Sequence, residues 1–166
     1  MSVYNILGME FKNARHRQSS SNFKRKLDAI GVIQPVRESV LVPLVPKFNP
    51  AAPYSTALRA GNLLFITGQV ATDENNQIVG DGDVRAQVRQ IFINLGHILR
   101  AAGGAYDNLV KLTYFYQHLD DIAKLGGLRE EFLQEPYPAV TGVQIARLAD
   151  TRLLVEVDAI AVFPSV

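Results

Sequence analysis

The clearest hydrophobic pattern lies near the end of the chain, where apolar residues alternate with charged or bulkier ones through residues 153–162. A period of two in a run rich in β-branched residues predicts a strand within residues 152–163. Glu156 and Asp158 stand two positions apart, so both carboxylates lie on one face of that strand. The opposite face is apolar and consists of Val155, Val157, Ala159 and Ala161. The acid face either meets solvent or lines a cleft or an interface, and both readings stay open.

The remaining pattern predicts an α+β unit with the order ββαβαββ. Its predicted elements are strands at residues 54–58, 62–68, 109–116 and 137–145, and helices at residues 84–102 and 119–133. We expect residues 137–145 to pair with the last strand. In the second helix the expected buried positions are Ile122, Leu125, Leu128, Phe132 and Leu133. Gly126 and Gly127 each weaken a helix by about 1 kcal/mol relative to alanine, so we expect a break there.

Charge is unevenly distributed, with eight Lys and Arg against three acidic residues in residues 1–47. We therefore divide the chain into a basic N-terminal extension, residues 1–46, and a domain, residues 47–166. Apolar positions three and four apart within residues 20–31 predict a short amphipathic helix. Two prolines favour an extended conformation for residues 40–45.

Composition limits the chemistry that the chain can carry. With 166 residues, of which 48% are hydrophobic, it can build one domain with a real core but not two of ordinary size. It has no cysteine, and its three histidines are too scattered for a metal site. No apolar run suits a secretory signal or a bilayer span, so we expect a cytoplasmic protein. The basic clusters at residues 15–17 and 24–26 lack interleaved aromatic residues, and we do not expect them to bind nucleic acid.

Several short motifs occur in an order that resembles one known family. They are Pro53-Tyr54-Ser55, residues 60–69 (AGNLLFITGQ), Tyr137-Pro138-Ala139, residues 145–148 (IARL) and residues 155–161 (VEVDAIA). Each motif alone is a weak signal, but together they resemble the Rid family, also called YjgF or reactive-intermediate deaminases. The resemblance covers residues 47–165 and leaves the basic extension outside.

The resemblance implies a chorismate-mutase-like fold, a mixed sheet with two helices on one face. It also implies a homotrimer whose sheets form a central barrel, with clefts between neighbouring subunits. Burial gives a separate reason to expect a trimer: if both helices cover the other face, the face with Ala159 and Ala161 needs cover from neighbouring subunits. The implied activity is hydrolysis of enamines and imines made from amino acids, giving a 2-oxo acid and ammonia without a metal or organic cofactor.

The resemblance also implies a set of site residues. Glu156 would be the catalytic group, holding a water for attack on the imine carbon, because such a role needs a carboxylate within hydrogen-bond reach. The substrate-binding positions would be Tyr54, Thr67, Gly68, Val140, Thr141 and Gly142.

Val140 departs from the family pattern, since deaminase-active members carry there an arginine that grips the substrate carboxylate. Loss of such a charge-assisted contact costs about 1.5–3 kcal/mol. Arg147 matches a different family position, and Arg59 or an arginine of the extension is a further candidate to replace the missing side chain.

Three functions therefore stay open. The first is an imine or enamine deaminase with an altered substrate. The second is another amine hydrolase, of the aminomuconate-deaminase type, and the third is a non-catalytic trimeric protein that binds a small molecule or a partner. Whether the chain is an enzyme is thus left open. Ribonuclease activity ranks below these, because only the extension is basic.

Overall fold

The computed structural model describes residues 37–164, which form one six-stranded mixed sheet in the order β1-β2-β3-β6-β4-β5. The strands are β1 (Arg37–Ser39), β2 (Ala57–Ala60), β3 (Leu63–Gln69), β4 (Leu109–Tyr116), β5 (Ala139–Gln144) and β6 (Val155–Val162). Only β4 and β5 run parallel, and the other neighbouring strands are antiparallel. The mixed sheet and the α+β class are confirmed.

The last strand has the alternation that the sequence predicts. The side chains of Val155, Val157, Ala159 and Ala161 are buried, and those between them, including Glu156 and Asp158, are half-buried. The expected pairing of the last two strands is wrong, because β4 lies between β5 and β6. In this order β6 has a neighbour on each side and can bury Ala159 against Leu112 of β4.

One α-helix, α1 (Val84–Ala101), packs its apolar stripe on the sheet, and it ends one residue before the predicted end. The Asp83 side chain caps its start by accepting from the backbone N–H groups of Arg85 and Ala86 at 2.9 and 3.1 Å. Gly103 follows the helix with φ +84°, a conformation that favours glycine and ends the helix.

The second helical segment is present but is not one α-helix. It consists of two 3-10 helices, Leu119–Leu125 and Arg129–Glu131, separated at the two glycines as predicted. Gly127 has φ +71°, which an α-helix does not accommodate. Ile122 is 39% exposed, so its predicted burial is wrong, whereas Leu125, Leu128 and Leu133 are buried.

The helical segments cover one face of the sheet, and no described helix covers the other, part of which lies beside residues 145–149. We call this second face the open face; it carries Phe65, Thr67, Lys111, Thr113, Phe115, Thr141, Val143, Glu156, Asp158 and Ile160. Ala159 and Ala161 are 2% and 0% exposed beneath the helices. The burial argument for a trimer therefore assigned the wrong face, and the face in need of cover is the acidic one.

Residues ahead of position 47 also join the sheet layer. Strand β1 pairs with β2, and Val42 and Val45 are buried in the core. The division of the chain at residue 46 stays a prediction, and the helix predicted in residues 20–31 lies outside the described residues. Within residues 37–164 no helix has the length and apolar character needed to cross a membrane.

Candidate active site

A bulge in β3 brings Gly68 against the side chain of Glu156. Ile66 pairs with Ala159 and Gln69 with Val157, so two residues of β3 oppose one residue of β6. A Cβ atom at position 68 would lie 1.9 Å from Oε1 of Glu156. Only glycine therefore leaves room for the carboxylate in this position.

Glu156 is half-buried on the open face, and its carboxylate has no bonded partner among residues 37–164. Burial raises the pKa of the Glu156 carboxyl above its usual value, and the negative charge of Asp158 raises it further. The group is thus a stronger base than an exposed glutamate, and its oxygens are free to bind a water or a ligand.

A cavity of about 480 Å³, which we call the Glu156 cavity, opens in front of this carboxylate. Its lining residues are Phe115, Ile145, Arg147, Leu148, Ala149 and Glu156. Arg147, which matched no site position in the sequence, therefore shares a cavity with the candidate catalytic group. Its guanidinium could attract an anionic substrate toward Glu156.

Tyr54 and Gly68 line a narrow cleft on the other side of the bulge, together with Lys47. The Lys47 ammonium lies 5.0 Å from the centre of the Tyr54 ring. The Thr67 hydroxyl donates to the Ser55 carbonyl at 2.8 Å, so it fixes the segment that carries Tyr54. Tyr54, Thr67 and Gly68 thus lie near the bulge that holds Glu156, and their role in binding stays a prediction.

Val140 and Gly142 do not join this group within one chain. Val140 pairs with Leu112, which is fully buried on the helix-covered side, whereas Glu156 pairs with Phe115 on the open face. Residues 112 and 115 of β4 point to opposite faces because side chains alternate along a strand. The structure therefore separates Val140 from Glu156.

Thr141 lies between these two sets, since it shares the open face with Asp158 through Thr113 of β4. Its hydroxyl accepts a hydrogen bond from the Lys111 ammonium at 2.5 Å. Within one chain this bond occupies Thr141, and the residue does not touch the Glu156 cavity.

Arg59 is bound elsewhere. Its guanidinium donates to the Ala102 carbonyl and lies 4.3 Å from the centre of the Phe163 ring. It is therefore not available to replace the arginine missing at position 140. No group of three or more His, Asp or Glu side chains in residues 37–164 could hold a metal ion.

Comparison with known proteins gives consistent matches. The family model described as Endoribonuclease L-PSP matches residues 45–163. A RutC family protein of Pyrococcus horikoshii is 36% identical over 126 residues, which cover 76% of this chain and 98% of that protein. The 2-iminobutanoate/2-iminopropanoate deaminase of Bos taurus is 33% identical and covers 68% of this chain and 83% of its own length. The crystal structure of RidA from an Antarctic Psychrobacter superposes with a TM-score of 0.69 at 31% identity, covering 76% of this chain and 99% of that chain.

Proposed function

Because the chain belongs to the L-PSP family, also called YjgF, RidA or RutC, as its motifs predicted, we propose that it hydrolyses reactive imines or enamines and releases ammonia. The observation that carries this proposal is the unpaired Glu156 carboxylate, held against Gly68 beside an open cavity. The bovine relative, named as a 2-iminobutanoate/2-iminopropanoate deaminase, supports the same reaction class.

In this reaction the substrate supplies a C=N bond and water supplies the oxygen. Glu156 accepts a proton from the water as its oxygen attacks the imine carbon, and a tetrahedral carbinolamine forms. Glu156 passes this proton to the nitrogen and then carries the hydroxyl proton of the carbinolamine to the same nitrogen. The C–N bond breaks, and a carbonyl product and ammonia leave. A carboxyl with a raised pKa suits both steps, because it binds and releases a proton nearer to neutral pH than an ordinary glutamate.

We also propose that the working form is a homotrimer with the active site between subunits. Val140 and Gly142 lie on the helix-covered face and Glu156 on the open face, so a neighbouring copy would have to bring β5 to the Glu156 cavity. Phe65 and Val143 of the open face are 43% and 38% exposed, and packing between copies would cover them. A cytoplasmic location stays a prediction.

Ribonuclease activity, which the family description names, fits this site less well. The open face presents the carboxylates of Glu156 and Asp158, which repel a phosphate backbone. Its Lys111 ammonium is bonded to Thr141 and Leu112.

The test is ammonia release from freshly generated imines by wild type and by Glu156→Gln. The substitution keeps the size of the side chain but removes the base, so we expect turnover to fall by about 10²-fold or more. Glu74→Gln is the matched control, because Glu74 is exposed in a loop and does not line the described pockets. Equal turnover in wild type and Glu156→Gln would refute the catalytic role.

A further inference from the structure

A second pocket, of about 210 Å³, lies beside β5 on the helix-covered side. We call it the Val140 pocket; it is lined by Arg129, Glu130, Leu133, Tyr137, Pro138 and Val140. Pockets for drug-sized ligands span about 300–1,000 Å³, so this one suits a small acid or one end of a larger molecule. Val140 contributes an apolar side chain to this pocket, and Arg129 contributes a guanidinium.

Arg129 differs from the other cations around it in having no anionic partner among residues 37–164. Arg85 and Arg89 both pair with Glu131, and Lys124 pairs with Asp121. The neighbouring Glu130 lines the same pocket without forming an ion pair with Arg129. The Arg129 guanidinium therefore keeps its donors available for an external anion.

The ring of Tyr114 helps to position Arg129. Its guanidinium carbon lies 5.9 Å from the centre of the Tyr114 ring. The Tyr114 hydroxyl is buried and has no hydrogen-bond partner among the described residues. Burial raises the pKa of this hydroxyl, whereas the positive charge of Arg129 lowers it, so the two groups interact. Tyr114 is fully buried and does not line the pocket, so it can orient the guanidinium while Arg129 itself meets a ligand.

We propose that the Val140 pocket binds the substrate carboxylate and that Arg129 grips it. The inference rests on the proposed function, because its ligand is the carboxylate of an imino acid or of its 2-oxo acid product. Arginine suits the task because its planar fork can donate two parallel hydrogen bonds to a carboxylate. Val140 then contacts the aliphatic part of the ligand, and the charge comes from the 3-10 helix at Arg129–Glu131.

The test measures binding of 2-oxobutanoate by isothermal titration calorimetry, without turnover. Arg129→Gln removes the charge, and we expect the Kd to rise at least about tenfold, while Arg129→Lys should give a smaller rise because lysine cannot donate bidentately. The matched control is Arg100→Gln, which removes an exposed guanidinium bonded to His97 on α1 and should leave the Kd within about twofold. Thermal unfolding of each variant confirms that it is folded.

A rescue variant makes the assignment specific to the pocket. In Arg129→Gln/Val140→Arg a cation enters the same pocket from another lining position, and we expect it to recover most of the lost affinity. Three outcomes would each overturn the inference. They are that wild type does not bind 2-oxobutanoate at millimolar concentration, that Arg129→Gln keeps the wild-type Kd, or that Arg147→Gln loses binding while Arg129→Gln keeps it.

The binding experiment and the turnover experiment test separate claims, so either result can be negative while the other is positive. If wild type releases ammonia but Arg129→Gln binds 2-oxobutanoate normally, the deaminase stands and the carboxylate is held elsewhere. If wild type releases no ammonia yet Arg129→Gln loses binding, the carboxylate site stands and the deaminase proposal falls.

Discussion

At the scale of single residues, the contact between Gly68 and Glu156 defines the candidate site. An alanine at position 68 would place Cβ 1.9 Å from Oε1 and 2.6 Å from Cδ of Glu156, so the carboxylate would have to move. We expect Gly68→Ala to lower kcat/KM for imine hydrolysis by about tenfold or more, since misplaced catalytic groups lose that much. Steady-state ammonia release checks this prediction.

The matched control for this glycine is Gly126→Ala. A Cβ at Gly126 would meet nothing within 4 Å, and its φ of −46° is open to alanine. We therefore expect its activity to equal that of wild type. Equal activity in Gly68→Ala would mean that Glu156 need not occupy its observed position.

At the scale of elements, Gln87 of α1 ties the helix to the segment that leads into β6. Its amide group donates to the carbonyls of Gly80 and Arg152 at 3.0 and 2.7 Å and accepts from the N–H of Leu154 at 2.8 Å. Gln87→Leu keeps the volume but removes three partly buried hydrogen bonds to the backbone. Among the described residues, only the Gly80 carbonyl of these three groups keeps another partner, the N–H of Asp83. We expect the free energy of unfolding to fall by roughly 2–4 kcal/mol, measured by urea denaturation.

Gln134→Leu serves as the control, because Gln134 is exposed and bonds to no described residue. Its free energy of unfolding should stay within about 0.5 kcal/mol of wild type. A similar loss in both variants would show that Gln87 contributes no more than a surface glutamine.

The elements that the sequence predicted best are those whose periodicity reflects burial. Strand β4 has the predicted bounds, and α1 differs by one residue, because each has one continuous apolar face. The sequence predicts an α-helix broken at the two glycines, rather than two 3-10 helices, because the leucines recur at helical spacing. The order of strands in the sheet depends on contacts far apart in sequence, and for that reason β4 was not expected between β5 and β6.

The candidate site was predictable in part for a similar reason. Glu156 stood out because a carboxylate interrupts an apolar strand, but the bulge that brings Gly68 to it has no mark in the sequence. Arg129 was missed because it precedes two glutamates and looks like part of an exposed charged run. Its place in the Val140 pocket depends on contacts between segments distant in sequence, which the local pattern does not show.

At the scale of the whole molecule, the open face should decide the oligomeric state. Phe65 is 43% exposed there, opposite Ile160 of β6. If copies pack through this face, Phe65→Glu buries a charge in the interface and should give monomers of 18.3 kDa by light scattering. Wild type should give a mass three times as large.

Ile93→Glu is the control on the opposite side. Ile93 is 38% exposed on the outer surface of α1, so this variant should stay assembled. A wild-type mass equal to one chain at micromolar concentration would rule out the trimer and, with it, an active site shared between subunits.

The central place of β6 affects how the protein can be made. Strands β1 to β3 and strands β4 to β5 are joined only through β6, which follows all of them in the chain. A ribosome therefore delivers two separate groups of strands, each with an open edge, before the strand that unites them emerges. Such edges can pair with other nascent chains or bind chaperones. A pause in translation ahead of residue 155 would prolong that exposed state, so the pace of synthesis through this region bears directly on yield.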